Sequence, residues 1–146
     1  MAVLEKTGTI NAPVDKVFNF SINPKNWKEI DPCIIEIRNV QSLPNGGYRF
    51  SCKYKIFGGL HSEYDIEYTD VIPNELFSYR YTCFKYIKVH EVLSFKSENG
   101  KTNLTYKIIN KVHIPLINAL IEKLFIKIYE PTLPKFLVNL KAKTET

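Results

Sequence analysis

Arginine is scarce in this chain. Three residues (Arg38, Arg49 and Arg80) stand among 20 basic side chains, the rest being lysine, against 15 acids and a net charge of +5. Proteins that read nucleic acid gather Arg and Lys on one face, with Arg supplying the bidentate fork. Here the lysines are scattered, with no more than three basic residues in any five, and they read as solvated surface charge. No nucleic-acid partner is expected. Cysteine is equally thin: Cys33, Cys52 and Cys83 form an odd set with no C-x-x-C spacing, which argues against a disulfide scaffold and a zinc ribbon. Long hydrophobic runs are missing as well. The greasiest segment, Ile114 to Tyr129, is interrupted by Pro115, Asn118, Glu122, Lys123 and Lys127, too short and too charged to cross a bilayer. The first residues lack the basic-then-apolar pattern of a signal peptide, so a cytoplasmic protein is expected. His61, His90 and His113 fall on wet faces or strand ends without a neighbouring acid at ligand spacing. No G-x-S-x-G, H-E-x-x-H, phosphate loop or dinucleotide fingerprint occurs, and neither metal nor cofactor is expected.

What is abundant is the aromatic ring: nine Tyr and nine Phe in 146 residues, beside a single Trp. The length suits one domain, residues 1–146. A strand over Val3 to Ile10 precedes a helix that starts at Pro13, placed at the first helical position where its missing N–H costs nothing. Val14, Val17, Phe18 and Ile22 share one face of that helix, and Asn23-Pro24 stops it. A second short helix runs from Pro24 to Ile30 and carries Trp27. From Ile34 to His113 the period changes to two, through six strands joined by turns at Pro44–Gly47, Gly58-Gly59, Pro73-Asn74 and Glu98–Lys101. Ile35 and Ile37 are read as one face of the first of these strands. A long helix from Leu116 to about Lys141 closes the chain. Its stripe is Ile117, Leu120, Ile121, Leu124 and Ile128, continued by Phe136, Leu137 and Leu140, with a kink or break expected at Pro131 and Pro134. The expected architecture is α+β: a curved antiparallel sheet of about seven strands wrapped around a long C-terminal helix, with two short helices after the first strand.

The run Ile10-Asn11-Ala12-Pro13-Val14-Asp15-Lys16-Val17-Phe18, then Pro24-Lys25-Asn26-Trp27, resembles the opening of the START-related SRPBCC, or helix-grip, superfamily. Asn23 replaces the Asp usual there before the proline. Asn99-Gly100-Lys101-Thr102-Asn103-Leu104-Thr105 is similar to that family's last hairpin. The resemblance covers nearly the whole chain and is strongest to the polyketide cyclase/dehydrase and lipid-transport branch. These motifs sit at structural turns, so they mark the fold and not the chemistry. The resemblance implies a cavity between sheet and long helix for a small, mostly apolar molecule, and its members include lipid carriers, quinone-binding proteins and aromatase/cyclases. No single activity transfers with the fold.

By alternation the inward strand faces hold Tyr48, Phe50, Tyr54, Tyr64, Tyr68, Phe77, Tyr79, Tyr81, Phe95 and Tyr106. A buried Tyr offers a large apolar body and a hydroxyl that needs a partner. Glu91 interrupts the apolar face Ile87, Val89, Leu93, Phe95, where desolvation would raise its pKa, unless a bulge turns it outward. It is the candidate general acid or base. Asn110 is read as bonding a ligand or Glu91. The candidate ligand-binding set is therefore Tyr54, Tyr64, Tyr68, Tyr79, Tyr81, Glu91, Tyr106 and Asn110, with Leu120 and Leu124 from the helix. Phe125, Ile126 and Tyr129 flank the helix stripe, which suits a portal, a transient membrane contact or a dimer contact, or simply deep burial. Three functions remain open: a carrier of a small hydrophobic ligand, a cyclase/dehydrase-type enzyme using Glu91 and a pocket Tyr, or an interaction module with an incidental cavity. Both a monomer and a homodimer fit the sequence.

Overall fold

The alternation from Ile34 to Val112 folds as a meander, and the opening strand joins it at the far edge. The computed structural model describes residues 1–56, 59–114 and 116–145. In chain order they form β1 (Ala2–Ile10), α1 (Val14–Ile22), a 3-10 turn (Pro24–Asn26), α2 (Trp27–Ile30), β2 (Ile34–Ser42), β3 (Tyr48–Lys55), β4 (His61–Ile72), β5 (Leu76–Cys83), β6 (Ile87–Glu98), β7 (Lys101–Val112), α3 (Asn118–Tyr129) and α4 (Thr132–Thr144). The strands make one antiparallel sheet in the order β1-β7-β6-β5-β4-β3-β2. Its dry face is the one expected from alternation: Tyr64, Ile66 and Tyr68 on β4, Phe77 to Cys83 on β5, Ile87 to Phe95 on β6 and Leu104 to Val112 on β7 are buried at every second position. The helices cover that face, α3 against β7 and β1, and α4 against α1, α2 and β1. The result is the α+β helix-grip arrangement.

Local chemistry sets the turns. Glu98 pairs with Lys101, which leaves Asn99 and Gly100 as a two-residue hairpin with φ of 53° and 76°. Two positive φ values match the twist of the flanking strands, and Asn-Gly is the pair that tolerates them. The turn expected at Gly58-Gly59 lies partly outside the described residues, at Gly58. Asn23 Oδ1 accepts the Lys25 N–H at 3.1 Å and so opens the 3-10 turn.

The structure corrects three expectations. Pro13 is not the first helical residue but the extended one before it, with ψ of 148°. β2 carries register shifts between Ile34 and Glu36 and between Arg38 and Gln41, so Ile34, not Ile35, is its buried inner residue. Bulges of this kind shift the alternation by one position and leave no mark in hydropathy. The break expected in the C-terminal helix is there, between α3 and α4. Pro131 has no N–H to offer the Lys127 carbonyl, and Thr132 Oγ1 donates to the Tyr129 carbonyl at the end of α3 at 2.6 Å. Pro134 is tolerated because it lies in the first turn of α4. Finally, the stripe on α3 faces the wrong way. Ile117, Leu120, Leu124 and Ile128 are exposed, while Glu122, Phe125 and Tyr129 are buried. α4 keeps its expected face, with Leu137 and Leu140 buried.

Gly47 fixes how closely the β2–β3 turn approaches the sheet. A β-carbon there would lie 2.5 Å from Tyr68 Cβ. Gly47→Ala is expected to destabilise the fold by about 1–3 kcal/mol, the usual cost of overpacking. Urea denaturation would measure it, and an unchanged midpoint would show that the turn moves freely.

Candidate functional site

Between the dry face of the sheet and the helices lies a narrow cavity of about 50 Å³. That is room for a few waters. Its wall includes Trp27 and Asp31 from α2 and its end, Tyr54 and Tyr64 from β3 and β4, and Tyr79, Tyr81, Glu91 and Tyr106 from β5, β6 and β7. Tyr129 at the end of α3 and Thr132, Leu133 and Phe136 from α4 close it from the helix side. Only unbroken alternation on three adjacent strands makes the polar centre possible. Tyr79 stands directly opposite Glu91 on the neighbouring strand, and Leu93 opposite Tyr106 puts that ring one diagonal step away.

Glu91 is buried and is held by three phenols. Tyr79 hydrogen-bonds Oε1 at 2.9 Å, Tyr81 hydrogen-bonds Oε2 at 2.5 Å, and Tyr106 is also hydrogen-bonded to Oε1. Tyr79 and Tyr106 are in turn 3.1 Å apart, hydroxyl to hydroxyl. Counting protons favours a neutral carboxyl. Four oxygen contacts share three phenolic protons if the carboxyl is ionised, so one contact is left without a proton. A protonated Glu91 supplies the fourth, and a closed circuit from Oε1–H to Tyr106 to Tyr79 and back to Oε1 then satisfies every contact. The electrostatics agree. Burial raises the Glu91 pKa above 4.5, and the charge of Asp31 adds to it, against the lowering effect of the three hydroxyls. Burial likewise pushes Tyr79, Tyr81 and Tyr106 well above 10.

A second carboxyl guards the other side. Asp31 Oδ1 accepts the Cys33 N–H at 2.9 Å, and burial raises its pKa despite that bond and the nearby Tyr54 hydroxyl. Trp27 donates Nε1–H to the Ser21 carbonyl at 2.8 Å and packs its ring 4.9 Å from that of Tyr79. The thiols of Cys52 and Cys83 are pushed up to about 12, chiefly by burial, so neither is a thiolate at neutral pH.

Of the residues expected at the site, Tyr54, Tyr64, Tyr79, Tyr81, Glu91 and Tyr106 come together around this cavity. Tyr68 does not: its hydroxyl donates to the Ile22 carbonyl at 2.6 Å, beneath Trp27, and its ring is part of the core. Asn110 is fully buried on the same face, but its amide bonds neither Glu91 nor any other of the described residues. Leu120 and Leu124, 69% and 55% exposed, lie on the outer side of α3 and line nothing. Sequence reasoning missed Asp31 and Tyr129. Asp31 reads as a helix stop because proline follows it. Tyr129 reads as a flanking position because the stronger stripe lies beside it.

The outer face of the sheet bears a wider, shallow groove with Glu63, Asp65, Glu67, Arg80, Lys88 and His90, mixed in sign and without convergent buried groups. Glu67 there is held below the usual carboxylate range by Arg49 and Arg80. No cluster of three or more metal-ligating side chains occurs among the described residues. None of the described helices is long and apolar enough to cross a membrane.

A family profile described as polyketide cyclase/dehydrase and lipid transport matches residues 1–145. No curated protein matches the sequence. Among solved structures, a START superfamily protein from Mycobacterium smegmatis superposes with a TM-score of 0.77 at 14% identity, covering 98% of this chain and 97% of that one. The Zhui aromatase/cyclase from Streptomyces sp. R1128 gives 0.78 at 13% identity, covering 99% and 93%. The di-domain aromatase/cyclase StfQ of the steffimycin pathway gives 0.80 at 13% identity, covering 98% of this chain and half of StfQ. At such identities the likeness concerns the fold.

Two outcomes follow from the buried polar groups. A carboxyl whose folded pKa is raised holds its proton more tightly in the folded state, so stability falls as pH rises from its unfolded value of about 4.5 through the folded one. Glu91→Gln removes that contribution and leaves that of Asp31. The wild type should lose stability as pH rises above 4.5 more steeply than the variant in urea titrations, and equal slopes would place Glu91 in an ordinary solvated state. Asn110→Leu replaces an unpaired buried amide by an apolar side chain of similar size. It should raise stability by about 1–3 kcal/mol, and a loss would reveal a partner for the amide.

Proposed function

The chain belongs to the polyketide cyclase/dehydrase and lipid transport family, and from that membership and the tyrosine-ringed carboxyl we propose that it binds or carries a small hydrophobic ligand between sheet and C-terminal helices. The ligand is a ring-bearing or isoprenoid-like molecule with a hydroxyl or carbonyl oxygen. The observation that carries this reading is Glu91 itself: three phenols occupy three of its four lone-pair directions, leaving one for a ligand. The aromatic wall supplies apolar contact at small entropic cost, and the cluster supplies orientation. The cavity as it stands is smaller than such a molecule. Loading therefore requires rings to turn or the α3–α4 break at Pro131 to open. Tyr129, stacked on both Phe125 and Tyr54, is the side chain that must move first.

The same cluster favours a second reading, an enzyme of the cyclase/dehydrase type. A carboxyl kept neutral by burial can donate a proton to a ligand carbonyl, with a tyrosine hydroxyl completing the relay. In that reading Glu91 is the acid, and the proton that the ligand releases in the same turnover returns to it through the hydroxyl of Tyr79 or Tyr106, each passing on one proton as it takes up another.

Trp27, the sole tryptophan, lies in the cavity wall and reports on occupancy. Titration with 2-naphthol should quench its fluorescence more strongly than naphthalene does. Glu91→Leu should erase the difference, weakening naphthol by about tenfold and naphthalene little, as expected for loss of a hydrogen bond to a carboxyl. Equal affinity of wild type and variant for both probes would end the binding role of Glu91. For the enzyme reading, Glu91→Gln should abolish cyclisation of a linear poly-β-ketone while leaving naphthalene affinity within threefold. Retained turnover would exclude Glu91 as the acid.

A further inference from the structure

We propose that the end of the molecule bearing the β5–β6 turn and the outer face of α3 docks on an anionic lipid bilayer. The meander carries its turns alternately to two ends. The turns after β3 and β5 share one end with the close of β7, and the Tyr86 carbonyl accepts the His113 N–H at 2.9 Å to tie two of these segments together. From there α3 runs along the sheet from β7 and β1 until Tyr129 stacks on Tyr54 of β3. Its inner face packs on β7 and β1, its last residue Tyr129 lines the cavity, and its outer face is exposed.

Three observations converge on this end. The first is apolar exposure: Leu116, Leu120 and Leu124 along the helix, Phe84 (56%) and Tyr86 (51%) on one turn and Leu60 by the other all face solvent. The second is charge. Residues 84–86 and 113–129 contain three lysines and a single acid. That acid, Glu122, is buried and engaged by the Val112 N–H and the Met1 ammonium. Lys85, Lys123 and Lys127 are therefore the exposed charges of these two segments, beside the apolar side chains. The third is strain. Among the described residues six non-glycines have positive φ, and three of them are Asn, which tolerates it. The others are Phe84, Lys85 and Leu116, all at this end and all exposed. A backbone that holds Phe and Leu outward at a conformational cost is built to present them. Apolar side chains ringed by lysine match the boundary between acyl chains and anionic headgroups. The inference stands on exposure and charge and holds whether or not the cavity is loaded.

Flotation with phosphatidylcholine vesicles and with phosphatidylcholine vesicles containing 30% phosphatidylglycerol tests it. The full chain should float with the anionic vesicles, at least tenfold more than with the neutral ones, and binding should fall severalfold between 0.1 and 0.5 M NaCl. Leu120→Asp/Leu124→Asp and, separately, Lys123→Glu/Lys127→Glu should each cost at least tenfold with an unchanged circular dichroism spectrum. Lys96→Glu/Lys101→Glu, at the opposite end, should cost less than twofold. No flotation with anionic vesicles overturns the proposal. So does equal loss in the opposite-end variant, which would mean unspecific charge attraction. A dimer in light scattering that the Leu120→Asp/Leu124→Asp variant dissolves, without vesicle binding, overturns it in favour of a second copy of the chain.

Discussion

A carboxyl group in a dry interior governs this structure. Glu91 can be buried because three tyrosine hydroxyls reach it from two neighbouring strands, and the tyrosines can be buried because Glu91 hydrogen-bonds all three. Neither side of the arrangement is tolerable alone, since an unpaired buried carboxyl or phenol costs more than its hydrogen bond returns. The cluster also needs β5, β6 and β7 in one fixed register: a slip of one residue would turn Glu91 outward and put Lys88 and His90 inside. The polar centre thus specifies the sheet as much as the sheet positions the centre.

Legibility in the sequence followed regularity. β5, β6 and β7 pair without a bulge, so simple alternation located Glu91, Tyr79, Tyr81 and Tyr106 on one face. β2 has two register shifts, and there alternation put the wrong isoleucine inside. On α3 the error has a different origin. Spacing reports that a helix face is apolar but not what covers it, and the most apolar face of α3 is the uncovered one. Its buried face includes Glu122, whose partners lie about ten residues back, at Val112, and at the other end of the chain, at Met1. Asn110 shows the same limit, because a buried position says nothing of whether a partner awaits the side chain.

The lysines make the point from the other direction. In sequence they are dispersed, and dispersion reads as ordinary solvation. The meander then brings the β5–β6 turn and the close of β7, from which α3 departs, to one end, so that Lys85, Lys123 and Lys127 stand among exposed apolar side chains. α3 stands between that basic, greasy end and the cavity, touching both through opposite faces. A force applied to its outer side is therefore felt by Tyr129 and the rings stacked on it.

The edge pairing of β1 carries a consequence for how the chain comes to be folded. β2 to β7 pair with their sequence neighbours, whereas β1 waits for β7, with Ala2 opposite Asn110. During synthesis the first strand to leave the ribosome is the last to find its partner. Its closure spans a loop of about a hundred residues, whose entropy must be overcome before any ladder bond forms. Until then the growing sheet has an open edge at β7 and an orphan strand of matching register. Those are the ingredients of exchange between two nascent copies, and the speed with which β1 docks decides how often it occurs.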